Sequence, residues 1–112
     1  MLADYLVPVL VIAFIASRLL SPFLARRKIP GLLAEGAQVV DVRSLAEFAA
    51  GHAPGSLNIP LPEIGERAKE LDRTRPVIVC CASGTRSAMA RLKLRRQGFE
   101  RVVNAGSWLN LP

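Results

Sequence analysis

The sequence predicts an α/β domain, a small parallel sheet flanked by helices, preceded by one apolar N-terminal helix. The sheet is predicted because short apolar runs alternate with helical patterns along residues 32–112, and glycines separate them. The leading helix is predicted because residues 2–25 are apolar except at Asp4, Ser17, Arg18 and Ser21. A chain of 112 residues has room for one small domain after this segment.

The apolar segment has the length of a membrane anchor. Residues 5–25 would span about 31 Å as a helix, which is enough for a bilayer. Asp4 and the lack of lysine or arginine before the apolar run argue against a cleavable signal peptide. A soluble helix packed on the domain is the alternative. We predict a membrane-anchor helix over residues 1–25, a basic linker over residues 26–31 and a domain over residues 32–112.

The basic residues predict the orientation of this anchor. They follow the apolar run on its C-terminal side, as Arg18, Arg26, Arg27 and Lys28. By the positive-inside rule, a single-pass protein of the inner membrane would then hold its domain in the cytoplasm. The cytoplasm is reducing, which suits a free cysteine thiol.

Each element of the domain has a local signal. A joint at Pro30 and Gly31 predicts a separate short helix over residues 32–35, which ends at Gly36. A buried strand over residues 38–42 precedes a capping box, Ser44-Leu45-Ala46-Glu47, which starts a short helix to Ala50. The remaining predicted elements are a helix over residues 63–71, a central strand over 77–80, a helix over 87–97 stopped by Gly98, and a last strand over 101–103.

The central strand leads into a loop that suits cysteine chemistry. An unperturbed thiol is mostly protonated at neutral pH, so a nucleophilic cysteine needs positive potential nearby. Cys81 is followed by small residues whose amides would turn inward, by Gly84, which would take a positive φ, and by a helix N-terminus. Arg86 would add a permanent cation within reach of a bound anion. The alternative is a structural cysteine pair before an ordinary turn.

Two motifs in this chain resemble those of the rhodanese family. Residues 81–87, Cys-Ala-Ser-Gly-Thr-Arg-Ser, are similar to the C-x-x-G-x-R-S loop of single-domain sulfurtransferases. Residues 41–60, with Asp-Val-Arg, Glu-Phe and Gly-His-Ala-Pro-Gly-Ser-Leu-Asn-Ile-Pro, resemble the family's second signature, and residues 104–108 its glycine-bearing segment. The resemblance covers about residues 32–112 and implies a rhodanese-like fold.

The resemblance also implies an activity. Cys81 would take the outer sulfur of thiosulfate or of a persulfide and pass it to a thiophilic acceptor. The partner would be a small anionic sulfur donor or a protein persulfide, and no cofactor would be needed. The substrate-binding residues would be Ala82, Ser83, Gly84, Thr85, Arg86 and Ser87. A non-catalytic, membrane-tethered binding module of the same family is an alternative.

Cys80 leaves a second enzyme class open. Counted from Cys80, the spacing to Arg86 is that of the phosphate-binding loop of cysteine-dependent phosphatases and arsenate reductases. The glycine lies three positions after Cys81 and not after Cys80, which favours Cys81 as the nucleophile. Cys80 is then predicted to be a buried strand residue, with a resolving thiol as the alternative.

The other polar candidates are predicted to support the site. Asp41 and Arg43 lie at the end of a strand next to that of Cys81, where a structural ion pair is favoured over substrate contact. His52, the single histidine, is predicted to hold a turn and not to act as a base. One histidine and two adjacent cysteines make no zinc site, so no metal is predicted.

The net charge of +6 raises the question of nucleic-acid binding. Arg91, Lys93, Arg95 and Arg96 cluster on one predicted helix, but no aromatic residues alternate with them. We therefore predict no nucleic-acid partner and a solvated basic face, with Ala88, Met89 and Leu92 as the apolar face of that helix. The charge would also hold the domain near an anionic membrane and attract anionic donors.

Overall fold

The computed structural model describes residues 1–112 and shows a four-stranded parallel sheet flanked by helices. The strands are β1 (Gln38–Asp41), β2 (Leu57–Asn58), β3 (Val77–Cys81) and β4 (Val102–Ser107). The helices are α1 (Leu2–Ala34), α2 (Leu45–Ala50), α3 (Ile64–Arg67) and α4 (Thr85–Arg96). The strand order is β2-β1-β3-β4, so β3 lies between β1 and β4 at the centre of the sheet. The predicted fold class is confirmed.

Helix α1 is continuous over 33 residues. The predicted joint at Pro30 and Gly31, and the separate helix over residues 32–35, are wrong, and residues 26–31 are helical. Proline removes a helix hydrogen bond, but Ile29 and Leu32, on either side of Pro30, are both buried against the sheet and keep the two parts in one helix. The apolar part of α1 has a mean hydropathy of 2.0, none of it is buried in the domain, and α1 is long enough to cross a membrane.

The local start signal of α2 is confirmed. The Ser44 hydroxyl accepts a bond from the Glu47 N–H at 3.2 Å, and a Glu47 carboxylate oxygen accepts one from the Ser44 N–H at 3.1 Å. The helix predicted over residues 63–71 is instead the short α3 between two 3₁₀ turns, Leu61–Glu63 and Ala68–Glu70. Gly65 is a poor helix former, and Pro62 lies in the first of these turns, so this segment lacks the propensity for a longer helix.

Helix α4 begins two residues before the predicted start at Ser87, and its predicted apolar face is wrong. The residues that it buries are Ser87, Ala90 and Leu94, whereas Met89 and Leu92 are each 52% exposed. The reason is the register of the first turn. Ser87 is drawn inward by polar partners near Cys81, and positions three and seven residues later follow it into the core.

The sheet separates two cores of different size. The α4 face is covered by α3 and α4 and contains 13 buried residues. They are Val40, Val42, Ile59, Ile64, Ala68, Leu71, Val77, Val79, Cys81, Ala90, Leu94, Phe99 and Val102. The α1 face is covered by the C-terminal turns of α1 and contains five, which are Ile29, Leu32, Ile78, Cys80 and Ala105. Because side chains alternate along a strand, Cys80 and Cys81 belong to opposite faces.

Candidate active site

Cys81 is the last residue of β3, at the carboxyl edge of the sheet, where parallel α/β folds place their sites. All five residues of β3 are buried. Gly84 follows with φ of 104°, a left-handed conformation that favours glycine, and it caps the start of α4. A Cβ at Gly84 would lie 3.1 Å from Gly106 Cα of β4, so close packing also favours glycine here. The loop is therefore held in a tight turn over Cys81.

The Cys81 sulfur lies among hydrogen-bond donors. The Gly84 N–H donates to Sγ at 2.9 Å, and the Ser87 hydroxyl lies 3.3 Å from Sγ. Burial acts to raise the pKa of Cys81, but hydrogen bonds from the Ser87 side chain and from the N–H groups of Ser87, Gly84 and Ser83 outweigh it. The pKa of Cys81 is therefore lowered, which favours the nucleophilic thiolate.

Cys80 has the opposite environment. It is fully buried on the α1 face. Burial, with the nearby Asp41 carboxylate, raises its pKa to about 12. A thiol of this kind is not a nucleophile at neutral pH, and its side chain points away from the loop. The geometry therefore does not support a phosphate-binding loop counted from Cys80.

Asn104 of β4 ties the loop to the sheet, and the sequence did not identify it as a site residue. Its Oδ1 accepts bonds from the Ser87 hydroxyl at 2.6 Å and from the Gly106 N–H at 2.9 Å. Its Nδ2 donates to the Gly84 carbonyl at 3.0 Å. The pairing of β3 with β4 shifts register just after Asn104, and such irregularities redirect side chains near sites. The sequence signal for Asn104 was the resemblance of residues 104–108 to the glycine-bearing segment that follows the predicted last strand.

Ser87 has one hydroxyl proton for two neighbours. In this geometry it donates to Asn104, so the protonated Cys81 thiol donates to Ser87. When Cys81 loses its proton, the Ser87 hydroxyl has to turn toward sulfur to stabilise the charge. When the Ser87 hydroxyl turns to sulfur, the Gly106 N–H still donates to Asn104 Oδ1. This oxygen therefore has a hydrogen-bond donor whether Cys81 is a thiol or a thiolate.

The Arg86 side chain is held in an ion pair with a residue of α2. Its guanidinium binds the Glu47 carboxylate through two bonds of 2.7 and 3.0 Å. The hydrogen bond from Arg86, together with the N–H of Ser44, lowers the pKa of Glu47 to about 2. An anion that contacts Arg86 therefore competes with the Glu47 carboxylate for the charge of the guanidinium. The sequence identified both residues but not their pairing, because they are 39 positions apart.

The predicted ion pair between Asp41 and Arg43 is present and buried. Arg43 donates to both Asp41 carboxylate oxygens, the shortest bond being 2.7 Å from Nη2 to Oδ2, and Nη2 also donates to the Gly51 carbonyl. Its guanidinium stacks on Trp108 at 4.8 Å from the ring centre. This arrangement joins the ends of β1, α2 and β4 around the site.

His52 and the loop's uncharged residues lie at the periphery. His52 stacks on Phe48, with ring centres 3.7 Å apart, and its Nδ1 bonds the Phe48 carbonyl at 2.8 Å. It makes no hydrogen bond with Cys81. Ala82, Ser83 and Thr85 are exposed at the mouth of the loop, and they carry no charge.

Comparisons with known proteins identify relatives of this chain. The family model described as Rhodanese-like domain matches residues 28–109. The putative sulfur carrier protein YrkF of Bacillus subtilis is 40% identical over 70 residues, which are 62% of this chain and 38% of that protein. The thiosulfate sulfurtransferase GlpE of Pseudomonas entomophila is 37% identical over 73 residues, which are 65% of this chain and 67% of that protein. The chain thus spans about a third to two thirds of the length of these relatives.

A solved structure has a similar fold. The structure described as rhodanese with anions from E. coli superimposes with a TM-score of 0.64 and 34% sequence identity. The match covers 68% of this chain and 94% of that one.

Proposed function

Because this chain belongs to the rhodanese-like domain family, we propose that it is a sulfurtransferase that carries a sulfane sulfur as a persulfide on Cys81. The observation that carries the proposal is the short contact of the Gly84 N–H with the Cys81 sulfur at the start of α4. A lowered thiol pKa at the end of a central strand supports a nucleophile at this position.

The proposed first step is attack of the Cys81 thiolate on the outer sulfur of thiosulfate. A new sulfur–sulfur bond forms on Cys81 while that of thiosulfate breaks, and sulfite leaves with the bonding electron pair. In the second step a thiolate or cyanide attacks the outer sulfur of the persulfide and regenerates the Cys81 thiolate. The charges balance in both steps, and no external oxidant or reductant is needed.

The loop residues have distinct proposed roles. The Gly84 N–H and the turned Ser87 hydroxyl stabilise the negative charge of the thiolate and then of the persulfide. Ala82, Ser83 and Thr85 form the uncharged mouth. Arg86 orients an anionic donor or acceptor in competition with Glu47, and Asp41 with Arg43 holds the surrounding segments in place.

The N-terminal helix is proposed to be the membrane anchor, with residues 1–25 in the bilayer and the family domain over residues 32–112. Its length and hydropathy support this assignment. The basic residues Arg26, Arg27 and Lys28 support a domain on the cytoplasmic side.

The proposal is tested by incubating the purified chain with thiosulfate and measuring intact and peptide masses. The expected result is the gain of one sulfur atom on Cys81, its persistence in Cys80→Ser, and its absence in Cys81→Ser. Cyanide should then release the sulfur as thiocyanate. If the wild-type chain gains no sulfur from thiosulfate or from a persulfide, the chain is a binding module; hydrolysis of an aryl phosphate would instead indicate a phosphatase.

A further inference from the structure

The direction of α1 relative to the sheet determines where the active site lies with respect to a membrane. At the C-terminal end of α1, Glu35 forms an ion pair of 2.7 Å with Arg101, just before β4 begins. Arg75, just before β3, also donates to the Gly36 carbonyl, which places the end of α1 at the amino ends of β3 and β4. Six residues before Glu35, Ile29 is buried in the apolar cluster that includes Cys80 and Ala105, farther along β3 and β4. The helix therefore runs antiparallel to the strands, and its N-terminal part points toward their carboxyl ends.

The apolar part of α1 leaves the domain on that same side. The helix continues without a break from Ile29 back to Leu2. Arg26, Arg27 and Lys28 lie within one turn of Ile29, and at about 1.5 Å per residue the apolar segment begins about 6 Å above it. Cys81 and its loop lie at this edge of the sheet. A bilayer around residues 1–25 would thus lie next to the loop.

The carboxyl edge also exposes apolar side chains. Leu45 is the first residue of α2, after β1, and is 71% exposed. Leu109 lies in the 3₁₀ turn Trp108–Asn110, after β4, and is 72% exposed. Both lie at the edge from which the apolar helix emerges, and they are the most exposed large apolar residues of the chain outside α1.

The connection between α1 and the domain fixes the direction of the apolar segment relative to the sheet. Ile29 and Leu32 are 3% and 7% exposed, and both pack into the α1 face. A flexible linker would let the domain turn freely under its anchor, but the helical residues 26–31 do not allow this.

We propose that the carboxyl edge of the sheet, with the Cys81 loop, lies against the surface of an anionic bilayer, with Leu45 and Leu109 in contact with the lipid. The proposal rests on the membrane anchor proposed above. Its consequence is that the sulfur acceptor is a thiol held in or on the membrane, because the mouth of the loop opens toward the lipid surface. The basic residues Arg26, Arg27 and Lys28 would contact the anionic headgroups.

The single tryptophan of the chain allows a direct test, since Trp108 lies beside Leu109. The full chain is reconstituted into vesicles of phosphatidylcholine and phosphatidylglycerol that contain a lipid with a doxyl quencher near its headgroup. We expect strong quenching of Trp108. The matched control is Thr74→Trp with Trp108→Phe, which moves the tryptophan to the turn before β3, at the opposite edge, and should show little quenching.

Flotation of the vesicles in a density gradient separates the possible failures. If the chain floats with the lipid but Trp108 is quenched no more than the relocated tryptophan of the control variant, the proposed orientation is wrong although the anchor is right. If the chain does not float, both the anchor and the orientation are wrong. Sulfur gain on Cys81 from thiosulfate, measured by mass in detergent, tests the sulfurtransferase activity independently of both.

A second experiment tests the functional consequence. In Leu45→Glu with Leu109→Glu, two charges replace the proposed lipid contacts. Sulfur transfer to a long-chain alkanethiol embedded in the vesicles should fall severalfold, while transfer to a short soluble thiol in detergent should not change. The proposal would be contradicted if sulfur transfer to both acceptors fell equally, or if transfer to neither acceptor changed.

Discussion

The two faces of the sheet place two neighbouring cysteines in opposite chemical states. On the α4 face, Cys81 meets the N–H of Gly84 and the hydroxyl of Ser87, and its pKa is lowered. On the α1 face, Cys80 is buried in an apolar cluster, and burial with the charge of Asp41 outweighs the opposing charge of Arg43, so that its pKa is raised to about 12. The two pKa shifts have opposite directions because hydrogen-bond donors surround the Cys81 sulfur, whereas burial dominates at Cys80.

The faces also differ in how they are built. The α4 face contains 13 buried residues packed under two helices, whereas the α1 face contains five under the end of one helix. The smaller face contributes less burial, but it fixes the direction of α1. The α4 face therefore stabilises the domain and shapes the loop, and the α1 face connects the domain to the N-terminal helix.

The largest expected difference is in alkylation of the two thiols. With a pKa of about 12, about one Cys80 thiol in 10⁵ is ionised at pH 7. Iodoacetamide should therefore modify Cys81 orders of magnitude faster than Cys80, and the pH midpoint of its modification should be lower than that of an ordinary thiol. As pH falls, Cys81 should keep its reactivity below the pH at which a free thiol loses it. Peptide mass spectrometry over a pH series measures both rates.

A control for this prediction is Ser87→Ala. Removing the hydroxyl removes one donor to the Cys81 thiolate, so the pH midpoint should rise. An unchanged midpoint would show that the backbone N–H groups alone lower the pKa.

The next largest effect is on stability, and it compares one substitution in each of the two cores. Leu94→Ala on the α4 face should lower the free energy of unfolding by about 3 kcal/mol, because Leu94 is fully buried in the large cluster. Leu32→Ala on the α1 face should lower the free energy of unfolding by about 2 kcal/mol. The loss is smaller because Leu32 is partly in contact with solvent. Urea unfolding of the full chain in detergent measures both. A larger loss at Leu32 would show that the α1 face stabilises the domain more than its size indicates.

A smaller effect is expected for Cys80→Ser. The new hydroxyl would be fully buried among apolar groups, and an unsatisfied polar group of this kind costs about 1–2 kcal/mol. Sulfur gain on Cys81 should be unchanged, because Cys80 faces the other core. Loss of sulfur transfer by a correctly folded variant would mean that Cys80 takes part in the chemistry.

The smallest expected effect is on substrate binding by Arg86, which lies in the first turn of α4 at the carboxyl edge of the sheet. Glu47→Gln keeps the capping box, since glutamine also serves at this position, but it releases the charge of Arg86. The KM for thiosulfate should fall about threefold, in line with the modest strength of an exposed ion pair. Glu63→Gln is the matched control, because it removes a carboxylate paired with Arg67 away from the loop. Equal KM values for wild type and Glu47→Gln would show that Arg86 does not bind the donor.

Local signals in the sequence predicted much of the fold and the turn that follows Cys81. The strand over residues 38–42, the capping box at Ser44 and the positive φ of Gly84 were all predicted, because each depends on neighbouring residues. The two-residue β2 was not predicted. The last strand is longer than predicted, since pairing with β3 extends β4 to Ser107. These elements depend on partners that are distant in the chain.

The sequence by itself determined the α/β order, the position of Cys81 before a glycine turn and a helix, and the apolar N-terminus. These depend on periodicity, on glycine's freedom at positive φ and on composition, which are local properties. Only the tertiary structure decided that Glu47 holds Arg86, that Asn104 holds the loop, and that Cys80 and Cys81 differ in pKa. It also decided that α1 runs unbroken past Pro30, because burial of Ile29 and Leu32 on the sheet outweighs the hydrogen bond that proline removes.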